Sequence, residues 1–518
     1  MSKATTTSPT GQRVSWTGQY GFLMAAIGAA VGLGNIWRFP GIAYNNGGGA
    51  FLLPYLVSLL CIGLPILLLE YALGHKYRGS APLAFRRFTK KAEFLGWWQV
   101  AISAVTSIYY ALVIAWAISY MYYSINLAWE DDALGFFLNS YLQVDTSSVA
   151  SFTPVIPVLI PLLLVWVVSS FVISRGVTKG VELANKIFMP LLVVLFLIIV
   201  VRALFLPDAI SGINAFFTPD WEAISDGKVW LSAFSQIFFS LSIACAIMTT
   251  YASYMPRRFN ITGTGLVAGF ANSAFEILAG IGVFAVLGFM SAQQGAAIDE
   301  LAGVTGANLS FITFPTIISL MPGGPIFGVL FFASLALAGI TSQVSNVQAA
   351  TGAFEDKFGW SAKRSSLILG SIMAVVSVAF FATTTGITTL DIIDAYINDI
   401  GLVGGAIAMA VLAVFVRPRL RGLRMHLNAT SSIQLPRIWE YFVGIIAPLA
   451  IGVMLVVATA DYIANGYSDH AADDPRIIFF GWGCLIVTVI FATVMSLLKW
   501  NPKVQHEPVI NFVDRKVK

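Results

Sequence analysis

The chain has 518 residues, 57% of them hydrophobic and only 11% charged, with a mean hydropathy of +0.80. A soluble domain carries roughly 25% charged residues, so these values exclude a soluble enzyme, a disordered chain and a nucleic-acid binder. The 30 lysines and arginines cannot build a basic face when most of the chain has to sit in lipid.

A helical span needs about 20 apolar residues. Twelve apolar runs meet that need, at 16–40, 46–74, 94–127, 155–174, 180–206, 229–255, 262–292, 324–355, 363–383, 390–416, 436–463 and 475–499. They predict an all-α polytopic membrane protein. One transmembrane body covers 16–500, between an N-terminal segment 1–15 and a tail 501–518. A weaker stretch punctuated by proline and glycine, 300–322, reads as a lid on the outer side. Cys61, Cys245 and Cys484 each lie in an apolar run, so no disulfide framework is expected. No histidine stands in a metal-binding spacing, and the polar first ten residues lack the apolar stretch of a cleaved signal.

Charge sets the orientation. With twelve spans both termini share a side, and all basic residues except Arg38, Arg202, Lys228 and Arg476 fall there. The opposite loops are acidic, with Glu130, Asp131, Asp132, Asp208, Asp220, Asp226, Asp469, Asp473 and Asp474. The positive-inside rule then puts both termini in the cytoplasm of a cell's plasma (inner) membrane.

Two spans are interrupted. The first reads GAAVGLGNIWRFP over 28–40. Close helix packing would explain a lone glycine pair. It does not explain Asn35 and Arg38, which are costly in lipid. A glycine-dense break at mid-membrane is tolerated where the freed backbone lines a cavity. The sixth span carries Gln236, Ser240, Ser242, Ala244, Cys245 and Ala246, small and hydroxyl residues without a glycine. Interrupted spans at corresponding places in two five-span halves point to a transporter site. Thr341 and Ser342 are adjacent hydroxyls in span eight, and Asn272 and Glu276 share a face of span seven. Glu70, near the end of span two, reads as a structural acid bonded to backbone or hydroxyl groups.

These residues, with NNGGGAF (45–51), QIFFSLS (236–242), TYASY (250–254) and AGITS (338–342), resemble the neurotransmitter:sodium symporters, in particular their bacterial amino-acid branch. The resemblance runs from Arg13 to about residue 500. It implies the LeuT-type fold, a 5+5 inverted repeat with broken helices one and six. It also implies two bound sodium ions. The first would be held by the Ala30 carbonyl, Asn35, Ser240, Asn272 and the substrate carboxylate. The second would use the carbonyls of Gly28, Val31 and Ala338 and the hydroxyls of Thr341 and Ser342. By the same resemblance the substrate carboxylate meets the N–H groups of Leu33 and Gly34 and the Tyr110 hydroxyl. The amino group meets carbonyls of spans one and six, Ser240 among them, and Ala30 and Ser242 are further substrate-binding positions. Ala29, Thr106, Phe239, Cys245, Ser342 and Asn346 wall the side-chain pocket. Arg38 and Asp394 would form the extracellular gate, above the aromatic pair Phe239 and Tyr110. Arg13, Trp16, Tyr254 and Asp356 would form the intracellular one. Gly180 and Pro190 match the family's unwinding element in span five.

Three positions narrow the substrate. Gly32 stands where monoamine carriers of this family resemble one another in having an aspartate, so the anion at the first sodium must come from the substrate. That favours an α-amino acid. None of the pocket residues is ionised, which favours a neutral one, since a buried side-chain charge would lack a partner. Cys245 and Asn346 suggest a size between alanine and methionine. Glu276 stands where chloride-dependent relatives have a short hydroxyl residue, which implies chloride-independent transport. The competing readings are a proton-coupled permease of the same architecture and a non-transporting amino-acid sensor. No nucleophile–base pair, phosphate loop or metal cluster supports an enzyme. The oligomeric state and any small accessory subunit are left open.

Overall fold

The computed structural model describes residues 14–301, 303–304, 306–415 and 417–512. Its architecture is helical throughout. Among the described residues the only β pairing is two isolated bridges, Pro154 with Thr383 and Tyr467 with His470. Among the described residues ten helices are long and apolar enough to cross a membrane. They are spans two (Gly49–Tyr77), three (Lys90–Tyr123), four (Ile156–Ser174), five (Val177–Leu204), seven (Ile261–Gln294), eight (Gly324–Phe358), nine (Ala362–Phe381), ten (Gly386–Phe415), eleven (Ile438–Ala464) and twelve (Ile477–Leu497).

The remaining two expected spans are the broken ones. Span one is a pair, Gln19–Ala30 and Gly34–Asn45, bent by 53°. Span six is Gly227–Ser240 and Ile247–Ala252, each half too short to cross alone. Both breaks are held among the more buried helices, spans two, three, seven and eight. Span seven is 78% buried along its most apolar window, whereas span eleven is only 22% buried. The exposed Leu449, Val453 and Val456 of span eleven are the lipid-facing surface that this difference requires.

The stretch read as a lid is an apolar helical segment, Gly306–Leu320. Its Phe311 lies 5.5 Å from Trp116, 5.1 Å from Tyr120 and 5.8 Å from Phe332, so aromatic packing fixes it to spans three and eight. At the end of the bundle that carries Val14 and Phe512, polar contacts tie the loops together. Glu93 pairs with the buried Lys357 at 2.8 Å and with Arg86 at 3.0 Å. Glu507, after span twelve, accepts from Arg78 at 3.1 Å and from Arg257 at 2.8 Å. Cys61, Cys245 and Cys484 are free.

Candidate substrate and ion site

The break in span one runs from Val31, whose backbone is extended, to a wide π-helical turn at Gly34–Arg38. None of its glycines adopts a positive φ. They are needed for close approach instead. A Cβ on Gly32 would sit 2.7 Å from Ser342 Oγ and 2.8 Å from the Tyr110 hydroxyl, and one on Gly34 would strike the Phe239 ring. The break in span six has the opposite character. Ser242, Ala244 and Ala246 alternate through left-handed backbone, at φ 51°, 62° and 60°. The Ser242 hydroxyl donates to the Ala29 carbonyl at 3.1 Å, which ties the two breaks together. Glu70 Oε1 accepts from Ala244 N–H at 2.8 Å, so the buried acid of span two does serve the backbone of the unwound segment.

The two breaks enclose a small cavity of about 50 Å³. Its lining includes Ala29, Ala30, Gly34, Thr106, Tyr110, Phe239, Ser240, Ser242, Cys245, Ser342 and Asn346, all expected from the sequence. Leu33 contributes through its backbone: its N–H donates to the Tyr110 hydroxyl at 2.9 Å. Two groups expected to hold one carboxylate therefore already converge. The cavity is also lined by Asn398 and Leu402, which sequence reasoning missed. They stand on a π-helical turn of span ten, Ile397–Leu402. Such turns often mark functional sites. The available signal was Asn398 with Asp399 inside an apolar run.

Oxygen atoms gather on both sides of this cavity. On one side Asn35 Oδ1 accepts from Gly32 N–H at 2.8 Å, and Asn35 Nδ2 donates to Asn272 Oδ1 at 2.8 Å. Asn272 Nδ2 in turn donates to Ser240 Oγ. The three side chains expected at the first sodium, from three different spans, thus form one connected group beside Ala30. On the other side Ser342 Oγ lies 3.4 Å from both the Gly28 and the Val31 carbonyls. Thr341 Oγ1 lies 2.9 Å from the Ala338 carbonyl. These five positions are the expected second set. A small hard cation prefers such neutral and anionic oxygens. Glu276 is fully buried one turn beyond Asn272 and accepts from the Tyr55 hydroxyl and from Gln236 Nε2.

The gates are in unequal states. Trp16 is only 3% exposed, and its N–H donates to the Tyr254 carbonyl at 2.9 Å, its indole to the Tyr251 carbonyl at 2.9 Å. Asp356 accepts from Ser80 N–H at 2.7 Å. Arg13 lies outside the described residues. At the opposite end the two expected gate residues, Arg38 and Asp394, form no ion pair with each other among the described residues. Arg38 donates to Ser235 Oγ at 3.1 Å and lies 4.3 Å over the Phe239 ring, while Asp394 accepts from Asn398 at 2.8 Å. Span five is also not unwound between Gly180 and Pro190. A π-helical turn holds Gly180, and the helix continues through Pro190 to Leu204.

The comparisons with known proteins give the family of the chain. The model of the sodium:neurotransmitter symporter family matches residues 13–134 and 130–503. An uncharacterized sodium-dependent transporter of Methanocaldococcus jannaschii is 37% identical over 490 residues, covering 94% of this chain and 98% of its own. A sodium- and chloride-dependent GABA transporter 2 of Bos taurus is 33% identical over 423 residues, 74% of this chain and 70% of its own. Among solved structures, MhsT in complex with L-phenylalanine superposes with a TM-score of 0.72 at 30% identity, covering 86% of this chain and 100% of that one. The chain is a multi-pass membrane protein of the sodium:neurotransmitter symporter family, a sodium-coupled transporter of LeuT-type fold and not an enzyme.

Proposed function

We propose that this protein takes up a neutral α-amino acid together with two sodium ions and without chloride, by alternating access across a cell's plasma (inner) membrane. Both termini then face the cytoplasm, and residues 16–500 act as one transport body. The observation that carries this reading is an uncharged cavity flanked by two oxygen groups. Among the described residues no acidic or basic side chain lines it. Gly32 leaves the anionic ligand of the first sodium to a substrate carboxylate, placed near the Leu33 and Gly34 N–H groups at the positive end of a half-helix. The phenylalanine named with MhsT and the GABA named for the bovine relative both carry such a carboxylate. Two sodium ions with a zwitterion move two charges, worth about 4.6 kcal/mol per 100 mV.

The unequal gates supply the alternation. Trp16 and Tyr254 seal the cytoplasmic side while Arg38 and Asp394 stand apart on the outer side. Substrate reaches the cavity from outside, and pairing of Arg38 with Asp394 above Phe239 closes over it. Opening inward then requires Trp16 to leave Tyr251 and Tyr254.

Binding of the twenty amino acids to purified protein, in sodium and with potassium in its place, tests the reading. A sodium-dependent neutral subset is expected. Equal binding in potassium would overturn the two-sodium mechanism in favour of a proton-coupled permease. Chloride independence rests on Glu276, whose carboxylate accepts from Tyr55 and Gln236. Glu276→Ser is expected to make transport depend on chloride, and undiminished uptake by that variant in chloride-free buffer would sink the idea.

A further inference from the structure

Span five faces the first half of span one with two oxygen-bearing side chains. Gly21 and Gly28 lie two turns apart on one face of span one. Glu182 packs against Gly21 and Asn185 against Gly28, so closely that a Cβ on either glycine would collide with the side-chain oxygen. Glu182 and Asn185 are three residues apart on span five and so share a face. The two pairs form a polar seam that runs from the mid-membrane break toward the end sealed by Trp16.

The two oxygens differ in what satisfies them. Glu182 accepts from Thr17 N–H at 3.1 Å and from Lys186 Nζ at 2.6 Å. Thr17 follows Trp16 directly, so this end of the seam is tied to the Trp16 seal. Asn185 donates its Nδ2 to the Val181 carbonyl at 2.9 Å. Its Oδ1 is buried and has no hydrogen-bond partner among the described residues. Buried polar atoms are nearly always satisfied, and an exception asks for a reason. This one abuts Gly28, whose carbonyl lies 3.4 Å from Ser342 Oγ in the second oxygen group.

We propose that Asn185 Oδ1 is a staging ligand through which the second sodium leaves the site, with Glu182 the acid at the mouth of its route. The inference rests on the two-sodium reading above. A dehydrated cation leaving Gly28, Val31 and Ser342 needs a further oxygen before water reaches it, and Asn185 offers a preformed one. Glu182 is uncovered when Trp16 and Thr17 move, so release follows opening of the cytoplasmic seal.

The test uses radioactive sodium alone, bound to the full-length protein in nanodiscs and chased with potassium. Asn185→Leu should slow dissociation of one sodium by tenfold or more and leave equilibrium binding within threefold. Asn185→Asp, which keeps the oxygen, should release sodium at least as fast as the parent. Asn185→Ala repeats the test if the leucine variant does not fold. An unchanged dissociation rate in both apolar variants would overturn the proposal. So would an equal loss of binding and rate, which would mark Asn185 as structural. The reading beneath it is checked separately. The parent should bind two sodium ions and Ser342→Ala one; failure there removes both, whereas an unchanged rate with that stoichiometry intact removes the Asn185 route alone.

Discussion

The breaks in spans one and six do the same work by opposite means. Span one spends three glycines within seven residues, yet none of Gly28, Gly32 and Gly34 adopts a positive φ. Their missing Cβ atoms make room for Asn185, for Ser342 with Tyr110, and for Phe239. Span six has three residues in left-handed backbone and no glycine among them. Each such residue costs about 1–2 kcal/mol, and the segment is held by tertiary bonds, Glu70 to Ala244 and Ser242 to Ala29. Glycine here marks where another side chain must approach, not where the backbone turns left-handed.

That contrast can be broken by substitution. Gly32→Ala should have the largest effect and abolish sodium-dependent substrate binding, because its methyl group would lie 2.7 Å from Ser342 Oγ and 2.8 Å from the Tyr110 hydroxyl. A variant that folds and still binds substrate would refute the close-approach account. Glu70→Ala leaves the Ala244 N–H buried without an acceptor and should cost about 1–3 kcal/mol, read as a lowered melting temperature in detergent. Glu70→Gln keeps an acceptor and should recover most of that loss.

A control lies away from both breaks. His426 is buried at the end that carries Phe512, with its Nε2 2.8 Å from His75 Nδ1 and its ring 5.1 Å from Phe512. Burial, then the neighbouring His75, Lys76 and Arg78, push its pKa down to about 2 from 6.5. A histidine with a depressed folded pKa binds its proton more readily unfolded, so its contribution to stability is complete above pH 6.5 and declines as pH falls below it. Each further unit of acid should cost about 1.4 kcal/mol. A melting series from pH 7.5 to 5.5 measures this, and replacing His426 with glutamine should make its slope shallower. The smallest effect is a gain. Ala246→Gly relieves left-handed strain and gives back part of it as unfolded-state entropy, so about 0.5–1 kcal/mol of added stability is expected. A loss of stability there would mean that the Ala246 side chain packs better than its backbone is strained.

Much of this was legible in one chain. Hydropathy marked the spans, with the two broken ones among them, because a lipid environment forces every span to be long and apolar. Asn35, Asn272, Ser240, Thr341 and Ser342 stood out as polar groups in apolar runs, and the structure brings them into two groups. Asn398 and Leu402 did not stand out, since the wide turn that presents them depends on how span ten packs against span three. The separation of Arg38 from Asp394 was not legible either. Both residues are present in every state of the cycle, and only the arrangement of the helices decides whether they meet.

By itself, then, the sequence determined the membrane class, the span count and the oxygen-bearing residues, because each follows from the cost of polar groups in lipid. Only the tertiary structure decided which side chain each glycine admits, which end of the bundle is sealed, and that Asn185 points an unpartnered oxygen at Gly28. Those depend on distances between residues far apart in the chain, and packing sets such distances where hydropathy does not.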